Sequence, residues 1–182
     1  MSQIVKKILI IFSAVVFVLF IALLVGAWQL GAFARVSLIL QERAPAFYLC
    51  RAEKVPYAQI PQQLEEIKTL AAGAVLTYKE SGALIYSDPA STPLNEIEAQ
   101  ALIFLADSAV LPAPLLLKKT SGGPVLSATF QAHPTIAVFK IYPALSDWLF
   151  KNQPAYQPVF PLLEIHRPPF YTVQLPLLQK QP

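Results

Sequence analysis

The sequence predicts an α+β domain behind one N-terminal transmembrane helix. In it a strand–helix–strand–strand unit, used twice, forms one antiparallel sheet with two helices on one face. Three observations carry this. From Ile8 to Trp28, 19 of 21 residues are apolar and none is charged. All 17 prolines fall after residue 44 and cut the remaining chain into short elements. Those elements switch between the two-residue period of strands and the 3.6-residue period of helices, and the series recurs about 80 residues later.

Residues 1–30 read as a cytoplasmic stub and anchor. At roughly 1.5 Å per residue, a helix of that length crosses the roughly 30 Å hydrocarbon core of a bilayer. The bilayer is therefore the expected partner of residues 8–28, with Trp28 at the interface where aromatic side chains anchor. Lys6, Lys7 and the amino terminus precede the apolar run, and Arg35 is the nearest basic residue beyond it. That asymmetry predicts a single-pass protein with a cytoplasmic N-terminus. In a bacterium, the helix would lie in the inner membrane and the domain in the periplasm. A cleaved secretory signal is the alternative, since Gly31-Ala32-Phe33-Ala34 offers small residues, although signal cores usually run about 7–15 residues. No cysteine follows the run, so no lipoprotein junction is visible.

Composition narrows the classes further. The chain is 55% hydrophobic and 14% charged, against roughly 25% charged in ordinary soluble domains. Setting the apolar run aside restores an ordinary apolar fraction, which excludes a disordered chain and a multispanning protein. Without Lys6 and Lys7 the 14 basic residues become 12, against 11 acidic. A near-neutral domain predicts no nucleic-acid partner and no charge-driven binding to anionic lipid. The single cysteine, Cys50, excludes an internal disulfide and reads as a small buried hydrophobe. Two histidines without Cys-x-x-Cys or His-x-His spacing predict no metal site. No cofactor motif is present: Lys119-Thr120-Ser121-Gly122-Gly123 lacks the glycine spacing of a phosphate loop.

The domain is expected over residues 33–178, with repeats at about 45–106 and 125–177. Arg35–Gln41 and Ala46–Glu53 read as strands meeting near Pro45. Tyr57–Ala72 is an amphipathic helix with Ile60, Leu64, Ile67 and Ala71 on one face and Pro61 in its first turn. Strands Ala83–Ser87 and Ile97–Ala106 follow around a proline-rich turn, then a connector from Asp107 to Pro124. Val125–Gln131 alternates as a strand. Thr135–Lys151 is helical, with Val138, Tyr142, Leu145 and Leu149 on one face, and Pro143 is expected to kink or restart it. Val159–His166 and Phe170–Leu177 close the domain as a hairpin around Pro168-Pro169.

Three segments resemble the GyrI-like family of bacterial transcription activator effector-binding domains. They are Val125-Leu126-Ser127-Ala128-Thr129-Phe130, the helix ending Tyr142-Pro143-Ala144-Leu145-Ser146-Asp147-Trp148-Leu149, and Pro161-Leu162-Leu163-Glu164-Ile165-His166. The arrangement of membrane helix and domain is similar to that of the vertebrate testis-expressed reticulophagy receptor. These 182 residues hold neither that receptor's autophagy tail motif nor a helix-turn-helix, so a tethered domain is what the resemblance implies. It further implies an aromatic-lined cleft between the repeats for small, often cationic organic molecules, with a glutamate near its centre as countercharge. Some relatives hydrolyse small electrophiles.

Glu164 is the leading candidate in this pattern. On a strand, Leu162, Glu164 and His166 share one face and Leu163 and Ile165 the other. A carboxylate near Trp148 and Tyr142 could hold an organic cation, and partial desolvation would raise its pKa as a general base requires. Tyr86, in Leu84-Ile85-Tyr86-Ser87, would supply the opposite wall from the first repeat. The same residues also suit a solvated open sheet face for Glu164 and plain core packing for most of the seven tyrosines. His166 reads as a strand end, with donation to Glu164 or to a ligand as the alternative, and His133 as a turn. Three functions stay open: a membrane-tethered small-molecule-binding domain using Glu164, Trp148, Tyr142 and Tyr86; a small hydrolase with Glu164 as base; and a scaffold for a protein partner.

Overall fold

Helix α1 (Gln3–Gln29) is apolar on every side beyond Lys6 and Lys7, and its apolar stretch Leu9–Gln29 has no buried residue. It is long and apolar enough to cross a membrane, a property that a secretory signal shares. A computed structural model describes residues 3–105, 113–131, 134–152 and 155–180 of the chain. His133, the side chain of Val138 and the start of the expected connector, 107–112, lie outside the described residues.

After α1 come β1 (Ser37–Arg43), β2 (Phe47–Cys50) and the short β3 (Val55–Pro56). Tyr57–Gln59 form a 3-10 turn that leads into α2 (Ile60–Gly73), with Pro61 in the first turn, where a missing N–H costs nothing. Strands β4 (Tyr78–Ile85) and β5 (Glu98–Leu105) complete the first half. Within the expected connector the chain forms one more strand, β6 (Leu116–Lys119), which pairs with β2. Then follow β7 (Gly123–Gln131), α3 (Pro134–Asn152), β8 (Tyr156–Pro158), β9 (Leu162–Arg167) and β10 (Phe170–Gln179). Pro143 does not restart α3, which is one helix on both sides of it.

All strand pairs are antiparallel, and the sheet runs β1-β7-β10-β9-β4-β5-β2-β6, with β3 and β8 attached beside β5 and β10. From the central β4–β9 pair outward, the order is β4-β5-β2 on one side and β9-β10-β7 on the other. Two strand–helix–strand–strand units joined through corresponding strands produce that order.

The two faces of the sheet differ. One face, under both helices, carries the main core: Ile60, Leu64 and Ile67 of α2, Ile141 and Leu145 of α3, and Ala83, Ile103, Phe130 and Val173 of the sheet. The other face has, among the described residues, no helix residue in its smaller cluster of Tyr48, Cys50, Leu84, Leu102 and Leu163, with Tyr86, Phe104 and Ile165 packed around it. Cys50 is fully buried there, with burial pushing its thiol pKa up, so it is the small hydrophobe the sequence suggested. Among the described residues no cluster of His, Cys, Asp or Glu has the makings of a metal site.

Candidate functional site

Glu164 lies on the helix-covered face, between the two halves. Its side chain is 1% exposed. The strand alternation that separates Leu163 and Ile165 from Leu162 and Glu164 places it there. Its neighbours in register are Ala83 of β4 and Val173 of β10, both small or apolar. Beside Ala83, Gly82 lets the strands approach closely: a Cβ there would stand 2.0 Å from the backbone oxygen of Glu164.

Three tyrosines surround the carboxylate. Tyr57, just ahead of α2, donates to both carboxylate oxygens at 3.1 and 3.3 Å. Tyr142 of α3 donates to Glu164 Oε1. Tyr171 of β10 brings its hydroxyl within 3.5 Å of that of Tyr57. Burial pushes the Glu164 carboxyl above its ordinary range, and the phenols of Tyr142, Tyr171 and Tyr57 oppose that rise by favouring the charged form. The phenols themselves are raised, first by burial and then by the charge of Glu164. The group is thus a desolvated carboxylic acid that keeps its proton to higher pH than an exposed one.

His166, one register pair along β9, stacks on Tyr171 with ring centroids 4.8 Å apart. Its Nε2 lies 4.0 Å from Glu164 Oε2, is buried and takes no hydrogen bond. Burial, then Lys68, lower its pKa.

A cleft of about 600 Å³ opens above this cluster. Tyr57 and Tyr142 line it, together with Ile85 and Ile97 from the first half and Phe139 and Pro143 from α3. Pro143 has no N–H to return to the carbonyl of Phe139, one turn earlier on the part of α3 that borders the cleft. Phe139 is 77% exposed at the border of this cleft.

Of the four residues expected at the site, the structure joins Glu164 and Tyr142 and separates the other two. Tyr86 sits on the opposite face of the sheet, where its hydroxyl donates to Gln100 Oε1 at 3.0 Å and the Lys54 ammonium lies 4.0 Å from its ring centre. The reason is parity: Tyr86 points with Leu84, whereas Ala83 and Ile85 point with Glu164. Trp148 packs on Tyr156, centroids 5.5 Å apart, and does not line the cleft. Six residues beyond Tyr142 it lies about 120° away around the helix, since each residue turns about 100°. Tyr57 and Tyr171 join the cluster beyond the four expected residues. For Tyr171 a signal existed, because its alternation with Val173, Leu175 and Leu177 aims it inward. Tyr57 has only its place before an amphipathic helix.

No family model matches the sequence, and no curated protein matches it significantly. Solved structures do match. EcmrR, seen by cryo-electron microscopy in a DNA complex, aligns with a TM-score of 0.65 at 11% identity, over 99% of this chain and 73% of that one. The isolated EcmrR C-terminal domain also gives 0.65, at 12% identity over 80% of this chain and 99% of that one. SAV2435 bound to tetraphenylphosphonium gives 0.56 at 12% identity, over 78% and 94% of the two chains. A hydrolase from Listeria innocua gives 0.56 at 8% identity, over 79% and 92%. At these identities the likeness shows the fold alone, which is consistent with a GyrI-like one.

Proposed function

We propose that the domain binds amphipathic or cationic organic molecules in the cleft above Glu164, and that α1 tethers it to a membrane with the domain outside the cytoplasm. The observation that carries the binding role is a buried carboxyl group held by two phenols, Tyr57 and Tyr142, that also line an apolar cleft. A cation entering the cleft meets aromatic faces, worth up to about 2 kcal/mol when water is excluded. Behind them stands a carboxyl whose ionisation the cation itself favours. The fold shared with SAV2435, solved with a lipophilic cation, supports the same class of ligand. The exposed apolar length of α1 supports the tether, and the lysines ahead of it support a cytoplasmic N-terminus.

The test is a thermal-shift titration with tetraphenylphosphonium. The wild type is expected to be stabilised, more strongly as pH rises because Glu164 must give up its proton to pair with the cation. Glu164→Gln is expected to lose most of that response. Equal stabilisation of both proteins at every pH would remove Glu164 from the role.

A second reading, a hydrolase with Glu164 as base, is favoured by the raised carboxyl pKa and by the Listeria neighbour. It requires Tyr57 or Tyr142 to swing aside so that water reaches the carboxylate. Turnover of an activated ester that survives Glu164→Gln would end it.

A further inference from the structure

The chain between α1 and the domain is not a free linker. Helix α1 closes with a Schellman turn at Gly31, whose φ is +81°. There the Ala32 N–H returns to the carbonyl of Ala27 at 2.8 Å, and the Gly31 N–H to that of Trp28 at 2.9 Å. The Lys140 ammonium of α3 then donates to the carbonyls of Ala32 and Ala34, and Ala34 and Val36 pack on the core. These bonds fix the end of α1 against one end of the sheet. The strand register identifies that end. β1 starts at Ser37 opposite Thr129, β7 stops at Gln131 opposite Phe170, and Phe170 stands opposite Arg167. Arg167 pairs in turn with Glu80, next to Lys79 of β4. Trp28, Leu30 and Phe33 border one cavity of about 890 Å³ together with Pro168 and Phe170, so the helix end and the tip of the β9–β10 hairpin are neighbours.

We propose that this end of the domain lies on an anionic lipid surface, with the rings of Phe33 and Phe170 in the interface and Arg35 and Lys79 against lipid phosphates. Three observations select that partner. The first is continuity with the apolar helix. The 21 residues Leu9–Gln29 span about 31 Å at roughly 1.5 Å each, which matches a roughly 30 Å hydrocarbon core and leaves the fixed turn directly above it. The second is the exposed rings: Trp28 is 71%, Phe33 64% and Phe170 44% exposed, and aromatic side chains favour the membrane–water layer. The third is charge. Arg35, Lys79 and Arg167 are all exposed on the strand ends just named, where Glu80, already paired with Arg167, is the acidic side chain. Long basic side chains extend from such positions to phosphates and so favour an anionic leaflet. The near-neutral sum that argued against attraction to anionic lipid averages over this local excess. The proposal rests on the membrane tether inferred above, and adds the lipid it meets and the surface that meets it.

The test uses the full chain in nanodiscs of phosphatidylcholine or phosphatidylglycerol whose acyl chains are brominated near the headgroup. With Trp28→Phe and Trp148→Phe removing both native indoles, Phe170→Trp places a single reporter on the hairpin tip, and Phe33→Trp a second, independent one on the turn. Phe150→Trp is the control. That ring is 77% exposed, yet it lies about 24 Å along α3 from the start of the helix, which follows the strand end at Gln131. Indoles at 170 and 33 are expected to be quenched at least about twofold more than the one at 150. Quenching at 170 should be about twofold stronger in phosphatidylglycerol than in phosphatidylcholine at low salt. Arg35→Ser with Lys79→Ser, both exposed positions, should abolish that lipid preference. Quenching at 170 and 33 no greater than at 150, or no preference for phosphatidylglycerol in the chain with Arg35 and Lys79 intact, would overturn the proposal. Native Trp28, read alone in Trp148→Phe, separates the two readings. If brominated lipid quenches it while positions 170 and 33 stay unquenched, the docking surface is lost and the tether stands. An unquenched Trp28 removes both.

Discussion

Strands β4 and β9 run side by side at the centre of the sheet as corresponding strands of the two halves, yet they serve the site in opposite ways. β9 brings the chemistry, with Glu164 and His166 on the helix-covered face. β4 brings room, with Gly82 pressed against the Glu164 backbone and Ala83 beside its side chain. The same division extends outward. The second half supplies Tyr142 and Tyr171, while the first adds only Tyr57 to the carboxylate. Doubling the unit therefore supplies a symmetric scaffold, and a site arises because one copy is emptied where the other is filled.

The largest way to break this comparison is Gly82→Ala. With backbone 2.0 Å from the new Cβ, the strands must part, and a loss of about 3 kcal/mol is expected in chemical denaturation. Next is Tyr142→Phe, which leaves a buried carboxyl with one donor fewer. About 2 kcal/mol should be lost, and carbon-13 titration of Glu164 should show its midpoint move further up.

The pH dependence is subtler. Because burial raises the folded pKa of Glu164, its stabilising contribution is complete below the ordinary value of 4.5. It declines as pH rises through the folded value, since the native state then holds a charge that the unfolded chain exposes to water. Wild-type stability should therefore fall with pH across that window relative to Glu164→Gln, as paired urea melts would show. The smallest effect sharpens the comparison from the other face. Tyr86→Phe removes the bond to Gln100, costs about 1 kcal/mol and leaves any ligand response unchanged. A changed response would mean that the two faces communicate.

The fold was legible where a single periodicity dominates: α2, α3 and the alternation of β10 stand where the sequence puts them. The parity of β9 was legible for the same reason, because it separates Leu163 and Ile165 from Glu164 and His166, but the sequence left open whether the Glu164 face is covered or solvated. Tyr86 lies on the face opposite the expected one because Ala83-Leu84-Ile85-Tyr86 is apolar on both sides, as a strand buried on both faces is, so alternation carries no direction. Tyr57 could not be found at all, since its partner is 107 residues away and only the closed sheet brings them together. The short strands β3, β6 and β8 depend on pairing with a neighbour, and Pro56 and Pro158 within two of them argue locally against a strand.

Strand β1 has a mechanical consequence. The chain passes from α1 through a short turn into Ser37–Arg43, and that strand pairs along its whole length with β7, from Ser37↔Thr129 to Arg43↔Gly123. With α1 as the proposed tether, the domain would hang from its second half. A pull along β1 loads every rung of that ladder at once and does not peel them off singly. Under that proposed tether, the half that carries the carboxylate would also be the half that bears the tension.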